Sequence, residues 1–347
     1  MRIALVTDAW LPQVNGVVRT LGMTVDCLRR MGHEVLTITP LDFRTLPCPT
    51  YPSIRLAVLP GRRVAKVLEG FAPDAIHLAT EGPLGHAARR YCLRHDLPFT
   101  TAFHTQFPED IRLRAPVPVA WSYAYLRHFH GAATRTMVPT ATQRDKLRAW
   151  GFDNLRLWAR GVDTHVFNTD QPVAWHYPRP IAVYMGRVAV EKNIEAFLDL
   201  PDLPTKVVIG DGPDRARLTA RYPACHFLGP RYGRDLAQHL AAGDVFVFPS
   251  RTDTFGLVLL EALACGLPVA AYPVQGPLDV IVPGVSAVLD EDLGVALRGA
   301  LQLSRDECVA QARRYCWQAC SADFLRYLAP IAASSGRRSA VSGSGAV

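Results

Sequence analysis

Val245-Phe246-Val247-Phe248-Pro249-Ser250-Arg251-Thr252-Asp253-Thr254-Phe255-Gly256-Leu257-Val258-Leu259-Leu260-Glu261-Ala262 reads as a buried strand that breaks into a polar loop and at once starts a helix. The first turn of a helix has unpaired backbone N–H groups and the positive end of the peptide dipoles, so this loop is an anion site suited to a diphosphate. Gly256 lets backbone approach a ligand with no side chain in the way. Asp253 and Glu261 stand eight apart, a little over two helical turns. They can take hydroxyl groups at different points of one extended ligand. The plainer alternative makes Asp253 an N-cap and Glu261 a surface residue. Glu261 does not fit it, because it lies in the apolar run Leu257–Leu263, where a carboxylate needs a buried or a ligand partner.

The same strand-then-helix punctuation runs along the chain. Ile3–Thr7, Glu34–Thr39, Ala75–Leu78, Phe99–Phe103 and Thr136–Val138 read as strands, with helices over Val17–Met31 and Ala141–Trp150. Around Val162–Pro180 the pattern breaks into the polar, turn-rich Asn168-Thr169-Asp170-Gln171-Pro172, which reads as an interdomain linker. It then restarts with strands at Ile181–Met185, Lys206–Ile209, Cys225–Leu228, Val245–Phe248 and Val269–Tyr272. The expectation is an α/β protein of two doubly wound domains, residues 1–168 and 169–333, with a disordered Ser/Gly-rich tail at 334–347. Ligands of such sheets sit beyond the carboxyl ends of the strands, and two facing units make a cleft.

Composition excludes several classes. The chain has 347 residues, 49% hydrophobic and 20% charged, which is globular and long enough for two cores. No apolar run approaches a membrane span, and the N-terminus reads as a first strand rather than a leader, so a cytoplasmic protein is expected. None of the eight cysteines forms a CxxC pair, and their spacing suits no zinc site. Up to Asn168 there are 21 Lys and Arg against 13 Asp and Glu; from Thr169 onward, 17 against 18. The whole positive excess therefore lies in the first half, which favours an anionic partner.

The remaining motifs fall at strand ends. Gly186-Arg187 closes the strand Ile181–Met185 and Glu191-Lys192-Asn193 follows. Arg187 and Lys192 can clamp a diphosphate and neutralise charge on a departing nucleotide, although a salt bridge of either with Glu191 is an equal reading of that stretch alone. Asp8 and Gly16 lie between the first strand and first helix, without the GxGxxG of a dinucleotide fold. Asp8 is assigned to the acceptor side. His104 ends the strand Phe99–Phe103 and is a candidate polar contact or proton handler. Thr80-Glu81 ends another strand, where Glu81 can line the acceptor side or cap a helix.

Together these motifs resemble the family-4 retaining glycosyltransferases of GT-B fold, over nearly the whole chain. The family signature is two acidic residues flanking seven others; Asp253 stands where most members have Glu, and a subset carries the same Thr-Asp-Thr-Phe-Gly sequence. The nearest likeness is to the bacterial branch of α-mannosyltransferases and sulfoquinovosyl- or glucosyl-diacylglycerol synthases. The resemblance implies two Rossmann-like domains facing across a cleft, with a basic pair, here Arg187 and Lys192, on the diphosphate. It implies a sugar oriented by Asp253 and His104, a ribose held by Glu261, a base near Arg231, and a donor site that also includes Gly16, Gly186, Thr254, Phe255 and Gly256. It places Arg160 where relatives commonly have Asn. The implied reaction moves a hexose from a UDP- or GDP-sugar to a hydroxyl of a lipid or glycan, with retention.

No cofactor is expected, and no metal, since two cations serve the phosphates and no DxD pair stands in a suitable loop. The basic half is expected to meet an anionic membrane surface, on the inner face, through Arg55, Arg62, Arg63, Lys66, Arg112, Arg114 and Arg127, with a solvated face as the alternative. A nucleotide-sugar epimerase is the rival of the same fold. A nucleic-acid-binding protein is the rival of another class, and acidic and cationic motifs gathered at strand ends do not fit it.

Overall fold

The computed structural model describes residues 1–13, 15–48, 51–104, 118–201, 203–253 and 255–332. Thr254, Arg112, Arg114, residues 105–117 and the tail 334–347 lie outside the described residues.

The first sheet contains β1 (Arg2–Val6), β2 (Glu34–Ile38), β5 (Ala75–Leu78), β6 (Thr100–Ala102), β7 (Arg135–Val138) and β8 (Leu155–Leu157). A separate hairpin is made by β3 (Thr45–Cys48) and β4 (Tyr51–Ala57). The helices of this half are α1 (Gly16–Arg30), α2 (Gly61–Phe71), α3 (Pro83–Arg94), α4 (Val119–Gly131) and α5 (Ala141–Ala149). The second sheet contains β9 (Ile181–Met185), β10 (Thr205–Ile209), β11 (His226–Gly229), β12 (Val245–Phe248), β13 (Val269–Ala271) and β14 (Ala287–Leu289). With it go α6 (Ile194–Leu198), α7 (Arg215–Arg221), α8 (Gly233–Ala241), α9 (Leu257–Ala264), α10 (Pro277–Val280), α11 (Leu293–Ala300) and α12 (Arg305–Ala312), and α13 (Trp317–Tyr327) closes the described chain.

Strand order is β2-β1-β5-β6-β7-β8 in one sheet and β11-β10-β9-β12-β13-β14 in the other, and every pairing in both is parallel. Parallel strands must be covered on both faces, and the central ones are: β5, β9, β12 and β13 are buried along their whole length. In each sheet the sense in which the chain adds strands reverses once, between β1 and β5 and between β9 and β12. At such a point the two flanking connections leave on opposite faces and open a crevice. Asp8 and Gly16 follow β1, Glu81 follows β5, Gly186 and Arg187 follow β9, and Asp253 follows β12. The topology itself gathers the motifs.

One boundary differs from the sequence reading. Residues 169–333 do not stay with the second sheet, because α13 crosses back to the first. Phe324 is fully buried against His77 and Trp158, at ring-centroid distances of 4.8 and 4.9 Å. Trp158 Nε1 donates to Cys320 O (3.1 Å), Arg135 Nη1 donates to Tyr327 O and Leu328 O (3.0 and 3.1 Å), and Ile331 N donates to Asp74 O (2.7 Å). The apolar face of α13 has its receptor in Trp158, so it buries there. Cys316 stands at the N-cap of this helix, and the structure joins none of the eight cysteines in a disulfide. Among the described residues no helix is long and apolar enough to cross a membrane.

Trp158 thus joins the chain end to the first sheet. Trp158→Ala is expected to lower the free energy of unfolding by about 3–5 kcal/mol, read from urea denaturation, as truncating a fully buried Trp does.

Candidate functional site

In the second lobe the backbone after β9 folds tightly. Gly186 takes φ +151°, and Tyr184 Oη donates to Arg187 O (2.8 Å). A single 3₁₀ turn over Val190–Lys192 ends at Asn193, which adopts φ +51° and donates from Nδ2 to Pro249 O (3.1 Å). That bond ties the loop after β9 to the end of β12. It brings Lys192 Nζ to 2.7 Å from both carboxylate oxygens of Asp253. The pair keeps about a quarter of its side-chain surface exposed, 26% for Lys192 and 22% for Asp253. It is therefore accessible and exchangeable, and the net worth of such a pair is modest. Arg187, expected beside Lys192, is exposed at the same strand end.

Gly256 caps α9 with φ +76°, where any side chain is strained. Phe255, expected among the donor contacts, is 6% exposed and packs edge-to-face on Tyr315. Its ring belongs to the core, so only its backbone is offered to a ligand. Arg231 turns toward Asp235, 3.5 Å away.

Glu261, one turn further along α9, is 3% exposed. Burial pushes its carboxyl up to about 7, against the opposing pull of Arg19. Arg19 comes from α1 of the other lobe and forms an ion pair with Glu261 Oε1. Its guanidinium also lies over the Phe167 ring, 5.0 Å from the centroid. The two helix starts face each other here: a methyl group at Gly16 would lie 3.6 Å from Leu257 Cδ1. Asn15 Oδ1 caps α1 by accepting from Val17 N and Val18 N, each at 3.0 Å. A cavity of about 170 Å³ opens beside the ion pair, lined among others by Arg19, Phe167, Gly233, Glu261 and Trp317.

In the first lobe Asp8, expected on the acceptor side, is 5% exposed. Its carboxylate accepts from Leu84 N (2.9 Å), Gly85 N (3.3 Å) and Thr80 Oγ1 (2.9 Å), so it caps α3 from the neighbouring loop. Burial raises its pKa, and those three hydrogen bonds oppose the rise. A methyl group at Gly82 would come 2.4 Å from Asp8 Cγ. Glu81 accepts from His130 Nε2 (3.0 Å), and His130 Nδ1 meets Thr101 Oγ1 (2.8 Å). Glu81 therefore stands over a buried polar chain rather than at a helix cap.

His104 has Arg160 beside it. Arg160 Nη2 donates to His104 Nδ1 (3.3 Å), and since Arg only donates, the ring proton of His104 rests on Nε2. Burial, then Arg160, hold the imidazole well below its usual pKa, so His104 is neutral at pH 7. Arg160 is 3% exposed, lies 4.1 Å over the Trp158 ring and donates to Trp158 O (2.6 Å). Burial lowers its pKa to about 9.

The structure thus joins Lys192 to Asp253 within one lobe and Glu261 to the other lobe, and sets His104 at the carboxyl end of β6. Sequence reasoning missed Arg19. The only signal was a cation one turn into α1 among Val17, Val18, Thr20 and Leu21, which is unremarkable without a partner in view.

Comparison with known proteins bears on the family and the fold. Residues 14–166 match the model of Glycosyltransferase Family 4, and residues 179–302 that of Glycosyl transferases group 1. A GDP-mannose-dependent alpha-mannosyltransferase of Mycobacterium tuberculosis is 34% identical over 315 residues, covering 83% of this chain and 83% of its own. The sulfoquinovosyl transferase of Arabidopsis thaliana is 34% identical over 312 residues, covering 81% of this chain and 61% of that protein. Among solved structures, sucrose-phosphate synthase from Thermosynechococcus elongatus superposes with a TM-score of 0.73 at 19% identity, over 94% of this chain and 97% of that one.

A ligand hydroxyl donates better to a carboxylate than to a carboxylic acid. Glu261 loses its charge as pH falls through about 7. Nucleoside diphosphate binding, measured by calorimetry from pH 8.5 to 5.5, is therefore expected to weaken as pH falls through that range, and Glu261→Gln is expected to remove that step.

Proposed function

The chain belongs to glycosyltransferase family 4 and is a nucleotide-sugar-dependent hexosyltransferase of GT-B fold; from that premise we propose that it moves a mannose- or glucose-type hexose, with retention, from a GDP- or UDP-sugar to a hydroxyl of a lipid or glycan acceptor. The observation that carries the site assignment is the placement of Lys192 and Asp253 against each other at the β9/β12 reversal, beside the start of α9. An arriving diphosphate competes for Lys192 and frees Asp253 for a sugar hydroxyl. Arg187, Lys192 and the N–H groups at the start of α9 then stabilise the negative charge that builds on the leaving diphosphate. The acceptor hydroxyl attacks the anomeric carbon on the face the diphosphate leaves, and its proton passes to a phosphate oxygen. Neutral His104 orients the sugar by hydrogen bonding from Nε2 without adding charge. These cations serve the phosphates without a metal ion. The relatives named above are transferases, which supports this reading over an epimerase.

For the acceptor we propose a lipid met at an anionic membrane surface. Arg55, Arg62, Arg63 and Lys66 are exposed on the hairpin and on α2. Arg63 lies over the Phe43 ring at 5.2 Å, which ties α2 to the segment leading into the hairpin. Leu41, Leu46 and Leu59 are exposed in the segments that flank these cations, at 64%, 63% and 92%. Apolar tips among cations suit the boundary between headgroups and acyl chains, where each cation adds about 1 kcal/mol. Arg127 sits apart on α4, donating to Trp150 O (3.2 Å).

Lys192→Ala is expected to lower kcat/KM by about 10²–10³-fold with whichever of GDP-mannose, UDP-glucose or UDP-sulfoquinovose supports transfer, and EDTA is expected to leave the rate unchanged. Anomeric retention is read from the proton NMR of the product, and inversion would overturn the reading. In flotation, vesicles containing phosphatidylglycerol are expected to carry the protein up and phosphatidylcholine vesicles to leave it behind. The triple change Arg62→Glu, Arg63→Glu, Lys66→Glu is expected to abolish flotation while leaving soluble nucleotide binding intact.

A further inference from the structure

The ion pair between Arg19 and Glu261 is the charged contact through which α1 of one lobe reaches α9 of the other. It engages Oε1 of Glu261. Oε2 is buried and has no hydrogen-bond partner among the described residues, an arrangement that is costly unless a ligand completes it. The adjoining cavity of about 170 Å³ is bounded by both members of the pair and by Gly233, two residues from Arg231. Arg19 itself is held in place: its guanidinium rests on the Phe167 ring, and α1 is anchored by its Asn15 cap and its packing on α13.

We propose that Arg19 is a positioning residue for the donor nucleotide, which reaches across the cleft to hold one oxygen of Glu261 so that the other is presented to the ribose hydroxyls. This rests on the assignment of Glu261 to the ribose. It adds that the ribose grip is assembled from both lobes: Glu261 alone, with the lobes apart, lacks the cation that fixes its rotamer and balances its charge. Removal of Arg19 therefore damages nucleotide binding only to the extent that Glu261 is being used.

The test is calorimetric titration with GDP and UDP and with their 2′,3′-dideoxy forms, on the full-length protein and on Arg19→Ala, Arg19→Lys, Glu261→Ala and the double variant Arg19→Ala/Glu261→Ala. With the better-binding ribonucleotide, Arg19→Ala is expected to weaken binding about tenfold or more and Arg19→Lys to restore much of it. With the dideoxy form, where there is no hydroxyl to hold, Arg19→Ala and the parent are expected to bind alike. The double variant is expected to bind no worse than Glu261→Ala. If Arg19→Ala weakens both nucleotide forms equally, or adds its full loss to that of Glu261→Ala, Arg19 supports only the packing of α1 and the proposal fails. If Glu261→Ala itself binds both forms as the parent does, the ribose assignment fails first, an outcome distinct from the failure of Arg19. In steady state the Arg19→Ala defect is expected in KM for the donor, with kcat changed less.

Discussion

A carboxylate inside an apolar helix has to be compensated, and at Glu261 the compensation comes from the opposite lobe. The helix Leu257–Ala264 is buried on nearly every face, so Glu261 has no route to solvent that would spare it. Its charge is supported by Arg19, from a helix that belongs to the other sheet. Folding within one lobe leaves that charge uncompensated; docking of the two lobes pairs one of its two oxygens. The cleft is accordingly a place where a charge within one domain is completed by the other, and a ligand entering there meets groups that are already paired but not saturated.

The Lys192–Asp253 pair follows the same logic in weaker form. Both residues keep some exposure, and their partner is another loop of the same lobe. On the proposed reading, Lys192 and Asp253 without a donor hold each other in the positions where a phosphate and a sugar hydroxyl would replace them. A pair of this kind stores little free energy, because solvent screens it, and so costs little to break. Preorganisation is achieved here by the backbone: the αL turn at Asn193 and its bond to Pro249 fix the distance between the loops before any ligand arrives.

Much of this architecture was legible in the sequence because it depends on local pattern. Short apolar runs ending at Thr7, Met185 and Phe248 each precede a polar loop, and the reversal points of both sheets fall at those loops. Glu261 was conspicuous for a physical reason, a charge amid leucines. What stayed hidden depends on contacts between distant segments. The return of α13 to the first sheet is written in Trp158 and Phe324, which are 166 positions apart and individually look like any core aromatic. Arg19 carried no motif, since its meaning lies in a residue 242 positions away. The commitment of Asp8 to the start of α3 was equally invisible, because the capped helix begins more than seventy residues later.

On the proposed reading, the side chain that the first lobe offers to the sugar, His104, is neutral. Beneath a half-buried Glu81, His130, Thr101 and Thr136 form a buried chain at the carboxyl ends of the central strands, with Thr101 Oγ1 to Thr136 Oγ1 at 2.9 Å. His77, at the adjacent strand, is fully buried, and burial drives its pKa down to about 3, so it is neutral at pH 7. His104 is kept in one tautomer by Arg160, whose own cation is spread over the Trp158 ring and backbone carbonyls. On the proposed reading this division of labour is chemically sensible. The cations that favour departure of the diphosphate are all supplied by the second lobe, next to the phosphates. A second full charge at the sugar would compete with the positive character that develops at the anomeric carbon, and a neutral imidazole with a fixed N–H avoids that competition while still setting the sugar's orientation.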